Sequence, residues 1–262
     1  MEYDELIKSL HSEKLVHRDI NWPKLPVYSA FRAIPKSNSV TIDPHKMGYV
    51  PYAAGAIVIR DKRILDLISY FAAYVFEKEQ DNPMLLGSYI LEGSKPGATA
   101  AAVWASHKAV PLNVSGYGRI IARSVEGAAR LYHSIKKMGE FEIEGIPFCI
   151  HPLVRPDFNI VMFAFNEADN TNLERMNDLN RKIYEKCSYV SGPVYQDDFI
   201  TSKTSLDAET YGEAPLPFIE QFGMSKDEWE RVKTVYLLRS CVLTPPYLAR
   251  TSTYVEYWGQ AY

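Results

Sequence analysis

The sequence predicts an α/β architecture to about residue 138 and a small α+β module from Gly139 onward. Three observations carry this. Gly55-Ala56-Ile57-Val58-Ile59-Arg60 is a near-continuous apolar run of strand length, the pattern of a strand covered on both faces. Gly116 to Met138 places Ile120, Ile121, Val125, Ala128, Leu131 and Ile135 at helical spacing, which predicts one long amphipathic helix. After Gly139 short β-rich segments alternate with helical ones, the signature of a separate α+β unit.

The elements follow in order. Residues 1–37 read poorly as the start of a domain, with one amphipathic fragment, Leu6-Ile7-Lys8-Ser9-Leu10, and a Pro-containing stretch at 21–26. A strand is expected over 38–42, then a loop over 43–54, then the apolar strand 55–60. A helix runs from Ile64 to about Tyr74, and the polar segment Glu77 to Pro83 is a mobile-loop candidate. Pro96 marks the next helix start, and the alanines that follow it permit close packing against another helix or chain. Beyond Gly139, strands are expected at Phe141–Ile143, Asn159–Phe165, Phe199–Ser202 and Thr234–Val242. Thr171-Asn172-Leu173-Glu174 reads as a capping box opening a helix with Leu173, Met176, Ile183 and Cys187 inward.

Bulk properties bound the function. The 262 residues are 47% apolar and 23% charged, normal for a globular protein with a sizeable core. A net charge of −3 gives no reason to expect nucleic acid or an acidic membrane as partner. Cys149, Cys187 and Cys241 lack CxxC spacing, which argues for a reducing compartment and against a metal site. The acidic N-terminus is no signal peptide, and no apolar run approaches about 18 residues, so a cytoplasmic location is expected.

The chemistry centres on Thr41-Ile42-Asp43-Pro44-His45-Lys46-Met47-Gly48. Lys46 follows a short β-branched run on a turn tightened by Pro44 and Gly48. A lysine at a strand end, beside a histidine, can be held against an aldehyde cofactor; the alternative is an ordinary solvated loop lysine. Gly116-Tyr117-Gly118 lacks a following Gly-Lys-Ser/Thr and is not a phosphate loop.

Further strings extend the pattern. They are Asp43 through Gly55, Tyr70 through Lys78, Tyr89-Ile90-Leu91-Glu92-Gly93-Ser94-Lys95, Asn113 through Gly118, and His151-Pro152-Leu153. In order and spacing they resemble the group II pyridoxal phosphate-dependent amino-acid decarboxylases, with wording most like the bacterial tyrosine decarboxylases. The resemblance spans about residues 36 to 245. It implies the C-terminal portion of a fold-type I pyridoxal phosphate-dependent transferase large domain over 1–138, followed by a small α+β C-terminal domain over 139–262. The family also has an upstream histidine that stacks on the cofactor ring and an aspartate that holds its pyridine nitrogen. Neither pattern occurs in the 45 residues before Lys46, so the chain is expected to be the C-terminal part of such an enzyme.

The resemblance implies a role for each matched residue. Lys46 would hold pyridoxal 5'-phosphate covalently, and His45 would contact the cofactor phosphate; otherwise His45 packs the turn. Ser94, ahead of a helix, would reach the phosphate of a neighbouring subunit, or only cap that helix. Tyr74, by the mobile loop, would protonate the substrate α-carbon, or be a core tyrosine ending its helix. Tyr52 and Ser240 would line the substrate pocket. Arg239, among apolar neighbours, is expected to form a structural ion pair. His107, His133 and His151 have no metal-ligand spacing and are expected to be structural.

The implied reaction is aromatic L-amino acid decarboxylation, tyrosine to tyramine and CO2, in a homodimer or with a complementing N-terminal polypeptide. Two other readings stay open: an aminotransferase-like enzyme of the same cofactor class, in which Lys46 would shuttle the proton, and an inactive truncated fragment or dimer-forming remnant. The chain alone is expected to have little or no decarboxylase activity.

Overall fold

A computed structural model describes residues 1–16, 20, 22–69, 86–92, 95–190, 192 and 200–243. The chain divides into two compact units, Leu25–Gly118 and Met1–Lys24 with Arg119–Tyr262.

The Leu25–Gly118 unit is built from α2 (Leu25–Ala33), β1 (Ser39–Ile42), β2 (Ala56–Ile59), α3 (Ile64–Ile68) and α4 (Ala98–Ala109), while α1 (Tyr3–Ser12) belongs to the other unit. Pro26 is tolerated in α2 because the first helical turn has no intrahelical acceptor for its missing N–H. β1 and β2 pair antiparallel, Val40 opposite Val58 and Thr41 opposite Ile57. The expectation that the second strand is covered on both faces fails in this chain. Ile57 is 61% and Val58 56% exposed, and as neighbours in a strand they lie on opposite faces. α3 is shorter than expected: Ser69 turns extended (ψ 133°) and ends the helix at Ile68. The expected mobile loop at 77–83 lies outside the described residues.

The second unit contains α1 (Tyr3–Ser12) and most of α5 (Tyr117–Met138). It then carries β3 (Glu140–Ile143), β4 (Ile146–Pro152), β5 (Ile160–Glu167), α6 (Leu173–Lys186), β6 (Ser202–Asp207), α7 (Ala208–Tyr211), α8 (Leu216–Ile219), α9 (Lys226–Val232) and β7 (Thr234–Cys241). The strands form one antiparallel sheet in the order β3-β4-β5-β7-β6. β4 has no counterpart among the expected strands, because Pro147 and Pro152 mask its pattern. Glu144 and Gly145, both at positive φ (51° and 80°), make the two-residue turn that pairs it with β3. The strand expected at 199–202 starts instead at Ser202.

Alternation along β7 fills both faces of this sheet. Val235 and Leu237 join Trp229, Phe218, Ile219 and Phe222 on one side. Tyr236 and Leu238 join Val161, Phe163 and the α5 residues Ala128, Leu131 and Ile135 on the other. Val125 is also buried on α5, whereas Ile120 and Ile121 are only half-buried. The buried Glu126 is matched by Arg130, whose Nη2 lies 2.8 Å from its Oε1.

α6 opens the sheet. β5 and β7 are paired from Ile160–Cys241 to Phe163–Leu238. Past that point Asn180 and Asn177, one helical turn apart, supply the missing bonds. Phe165 N–H donates to Asn180 Oδ1 (2.9 Å), and Asn180 Nδ2 donates to Phe165 O (2.7 Å). Tyr236 N–H donates to Asn177 Oδ1 (2.8 Å), and Asn177 Nδ2 donates to Thr234 O (2.9 Å). The helix therefore contributes to both cores, Leu173 and Met176 to one and Tyr184 to the other. Its cap is Asn172, which accepts from Arg175 N–H at 2.9 Å, and not the expected Thr171. Ile183 and Cys187, expected inward, are half-buried.

Candidate active-site loop

The loop from Asp43 to Gly55 joins the two paired strands β1 and β2, and backbone bonds wind it tightly. Lys46 N–H donates to Asp43 O (3.0 Å), Tyr49 N–H to Lys46 O (3.1 Å) and Val50 N–H to Pro44 O (3.1 Å). Gly48 is required by this path: a Cβ there would stand 2.5 Å from Pro44 O. Pro44, Val50 and Ala54 are buried beneath the loop and anchor it. Tyr117, the first residue of α5, donates its phenolic O–H to Gly48 O at 2.8 Å. The turn 111–118 delivers that tyrosine. Gly116 N–H donates to Asn113 Oδ1 (2.7 Å), and a Cβ at Gly116 would meet Pro111 O at 2.1 Å.

On this frame stand three of the expected site residues, Lys46, His45 and Tyr52. Lys46 Nζ lies 2.6 Å from Asp43 Oδ2, and its side chain is 64% exposed. The hydrogen bond, and then the charge, of Asp43 holds the amine above the usual lysine range. The same bond holds the Asp43 carboxyl below its usual range. His45 bonds the Ala54 carbonyl through Nδ1. A carbonyl can only accept, so Nδ1 carries a proton, and Nε2 can donate only when the ring is protonated. The Tyr52 ring stacks on His45 with centroids 4.4 Å apart and planes tilted by 30°. Tyr52 itself is 81% exposed.

Ser240 belongs to the other unit, half-buried on β7 opposite Val161. Arg239 forms no ion pair among the described residues. Its Nε donates to Ser202 Oγ (3.0 Å), and the residue is half-buried on β7. Tyr74 and Ser94 lie outside the described residues. Sequence reasoning passed over Asp43 and Tyr117 as site residues. The i,i+3 spacing of Asp43 and Lys46 was the available signal for the first; nothing local signals the second, which acts across 69 positions.

No helix among the described residues is long and apolar enough to cross a membrane. All three cysteines are unbridged.

Comparison with known proteins bears on this loop directly. Residues 24–154 match the pyridoxal-dependent decarboxylase conserved domain, and residues 127–261 match the C-terminal region of tyrosine decarboxylase. The L-tyrosine decarboxylase of Enterococcus faecium is 48% identical over 243 residues, 93% of this chain and 39% of the relative. That of Levilactobacillus brevis is 49% identical over 240 residues, 91% of this chain and 38% of the relative. The L-aspartate decarboxylase of Thermococcus kodakarensis is 35% identical over 136 residues, 52% of this chain and 31% of the relative. The chain thus spans about two fifths of the length of the tyrosine decarboxylases it matches. With the cofactor-domain model covering the lysine loop and the C-terminal model covering the antiparallel sheet, the chain belongs to the pyridoxal-dependent decarboxylase family, in the C-terminal part of its tyrosine decarboxylase branch.

Proposed function

We propose that this chain acts as the C-terminal part of a pyridoxal phosphate-dependent tyrosine decarboxylase, with Lys46 as the residue that holds the cofactor. One observation carries the reading: identity of 48–49% to L-tyrosine decarboxylases over more than nine tenths of the chain. The aspartate decarboxylase match is lower and covers only half of it, which favours tyrosine as substrate. On this reading residues 1–138 complete a fold-type I large domain and residues 139–262 form its small domain.

The donor chemistry of the loop fits the cofactor. Lys46 offers an exposed primary amine. His45 Nε2, opposite the engaged Nδ1, is the ring nitrogen left to meet a phosphate oxygen. Tyr52 stacks on the imidazole and restrains its tilt. Bound pyridoxal phosphate supplies the electron sink for the carbanion left when CO2 departs. Asp43 opposes the first step, because the Lys46 ammonium must leave the carboxylate and lose a proton before its nitrogen is nucleophilic. Tyr74 then delivers a proton to the substrate α-carbon, Ser94 binds phosphate, and Tyr52 and Ser240 line the substrate side. The working assembly is a homodimer or a pair with a complementing N-terminal polypeptide.

The test is spectroscopic. The purified chain is mixed with pyridoxal phosphate, its visible absorbance is read, and the adduct is fixed with borohydride and mapped by peptide mass. The label should fall on Lys46 and vanish in Lys46→Ala. A label spread over several lysines, or retained in Lys46→Ala, overturns the assignment. CO2 release from tyrosine should require the upstream polypeptide; release by the chain alone would refute its dependence on that partner.

A further inference from the structure

We infer that Tyr117 is a positioning residue for the reaction: its phenol latches the Gly48–Tyr49 peptide and so fixes the backbone that carries Lys46. This deepens the reading above and rests on Lys46 being the residue that holds the cofactor.

Two hydrogen bonds lead from the phenol to the lysine through one peptide plane. Tyr117 donates its O–H to Gly48 O at 2.8 Å. The N–H of that same peptide, on Tyr49, donates to Lys46 O at 3.1 Å. Lys46 N–H in turn donates to Asp43 O at 3.0 Å, so both backbone groups of Lys46 are engaged.

The latched peptide has a reason to rotate. Tyr49 sits at φ 54°, in the left-handed region that a residue with a side chain disfavours. Turning the Gly48–Tyr49 peptide over would carry Tyr49 into the extended region, at the cost of a changed ψ at Gly48. Glycine accepts such a change more readily than any other residue. The rotation would swing Gly48 O away from the phenol and Tyr49 N–H away from Lys46 O. The bond to Lys46 holds this peptide by its N–H, and Tyr117 supplies the hold on its carbonyl.

The phenol is itself fixed. Tyr117 is buried, and the turn before it sets its backbone: Tyr117 N–H donates to Pro111 O (3.0 Å) and Gly118 N–H to Asn113 O (2.9 Å). The rings of Tyr117 and His107 meet edge to face, with centroids 5.7 Å apart. A donor with so little freedom to follow the loop confines Lys46 to motions of its side chain. Repeated capture and release of a cofactor requires this, because a misplaced amine loses the advantage of proximity. The plainer role, in which Tyr117 only starts α5 and fills space, gives its hydroxyl no part in the loop.

The experiment compares the parent chain with Tyr117→Phe, which removes the hydroxyl and keeps the ring. Amide exchange at Tyr49 should quicken by about three- to tenfold, the effect of one lost hydrogen bond. Exchange in β1, β2 and α5 should be unchanged. Both chains are then treated with pyridoxal phosphate and borohydride. The share of label on Lys46, against the other lysines, should fall by about threefold or more in Tyr117→Phe. Unchanged exchange at Tyr49 overturns the inference. A general loss of protection across β1, β2 and α5 also overturns it, since Tyr117 would then serve the fold alone. Faster exchange at Tyr49 with the Lys46 share of label unchanged does the same, because the latch would not reach the amine. The functional reading fails separately: a parent chain with no label on Lys46 sinks that reading, and exchange at Tyr49 still decides the latch.

Discussion

Replacing Asn180 by leucine tests how α6 holds the second unit together. Asn180 is fully buried, and its amide satisfies both backbone groups of Phe165 where β5 parts from β7. Leucine keeps the branched shape but is larger and has no polar atoms, so Phe165 N–H and C=O would lose the bonds that Asn180 makes to them. Each orphaned group costs about 1–3 kcal/mol, giving about 2–6 kcal/mol in all before the added apolar contact offsets about 1 kcal/mol. For a unit of this size that net loss lowers the melting temperature by about 2–20 °C. The assay is thermal and urea unfolding followed by circular dichroism, with the urea slope checked for constancy. Asn180→Asp is the informative companion. It keeps an acceptor for Phe165 N–H but turns a carboxylate toward the Phe165 and Met176 carbonyls. It should be destabilised at neutral pH and partly recover in acid, where a protonated carboxyl can donate. A melting temperature for Asn180→Leu within about 1 °C of the parent, at unchanged urea slope, would refute the account of α6 as the element that completes the opened sheet.

Three further outcomes are expected. Asp43→Asn removes the negative charge that helps hold the Lys46 amine protonated, so borohydride-fixed labelling of Lys46 by pyridoxal phosphate at neutral pH should quicken; an unchanged or slower rate contradicts the pairing. Gly48→Ala forces a Cβ against Pro44 O and should cost the loop about 1–3 kcal/mol, seen as exchange at the Lys46, Tyr49 and Val50 amides faster by about tenfold. His151, on β4 with its ring against Phe222, is held below the usual imidazole pKa of 6.5 by burial, with Glu140 opposing. The unfolded chain therefore binds the proton first. The stability from neutral His151 is complete above pH 6.5 and is lost as pH falls through the folded value, and His151→Gln should flatten that part of the urea-unfolding pH profile.

Local elements with strong periodicity were legible in the chain itself. The long helix appears at Tyr117–Met138, and the strands around the lysine appear at Ser39–Ile42 and Ala56–Ile59. Elements set by tertiary context were not. β4 is defined by its neighbours and by a positive-φ turn, against the grain of its two prolines. The short helices α7, α8 and α9 have too few residues for a periodic signal, yet α8 and α9 carry Phe218, Ile219 and Trp229 into the core. Lys46, His45 and Tyr52 could be named together because they share one loop, whereas Tyr117 could not, because the phenol reaches back from α5.

The sequence by itself determined the family-type lysine loop and its chemistry, because a strand end, a proline, a glycine and adjacent ionisable groups act within a few residues of one another. Only the tertiary structure decided the electrostatic state of Lys46 and the surroundings of the apolar strand beside it. The amine is held by Asp43 in solvent, and the strand whose composition predicts two covered faces has neither covered among the described residues. Burial is a relation between segments distant in sequence, and apolar composition states the demand for it without supplying the partner.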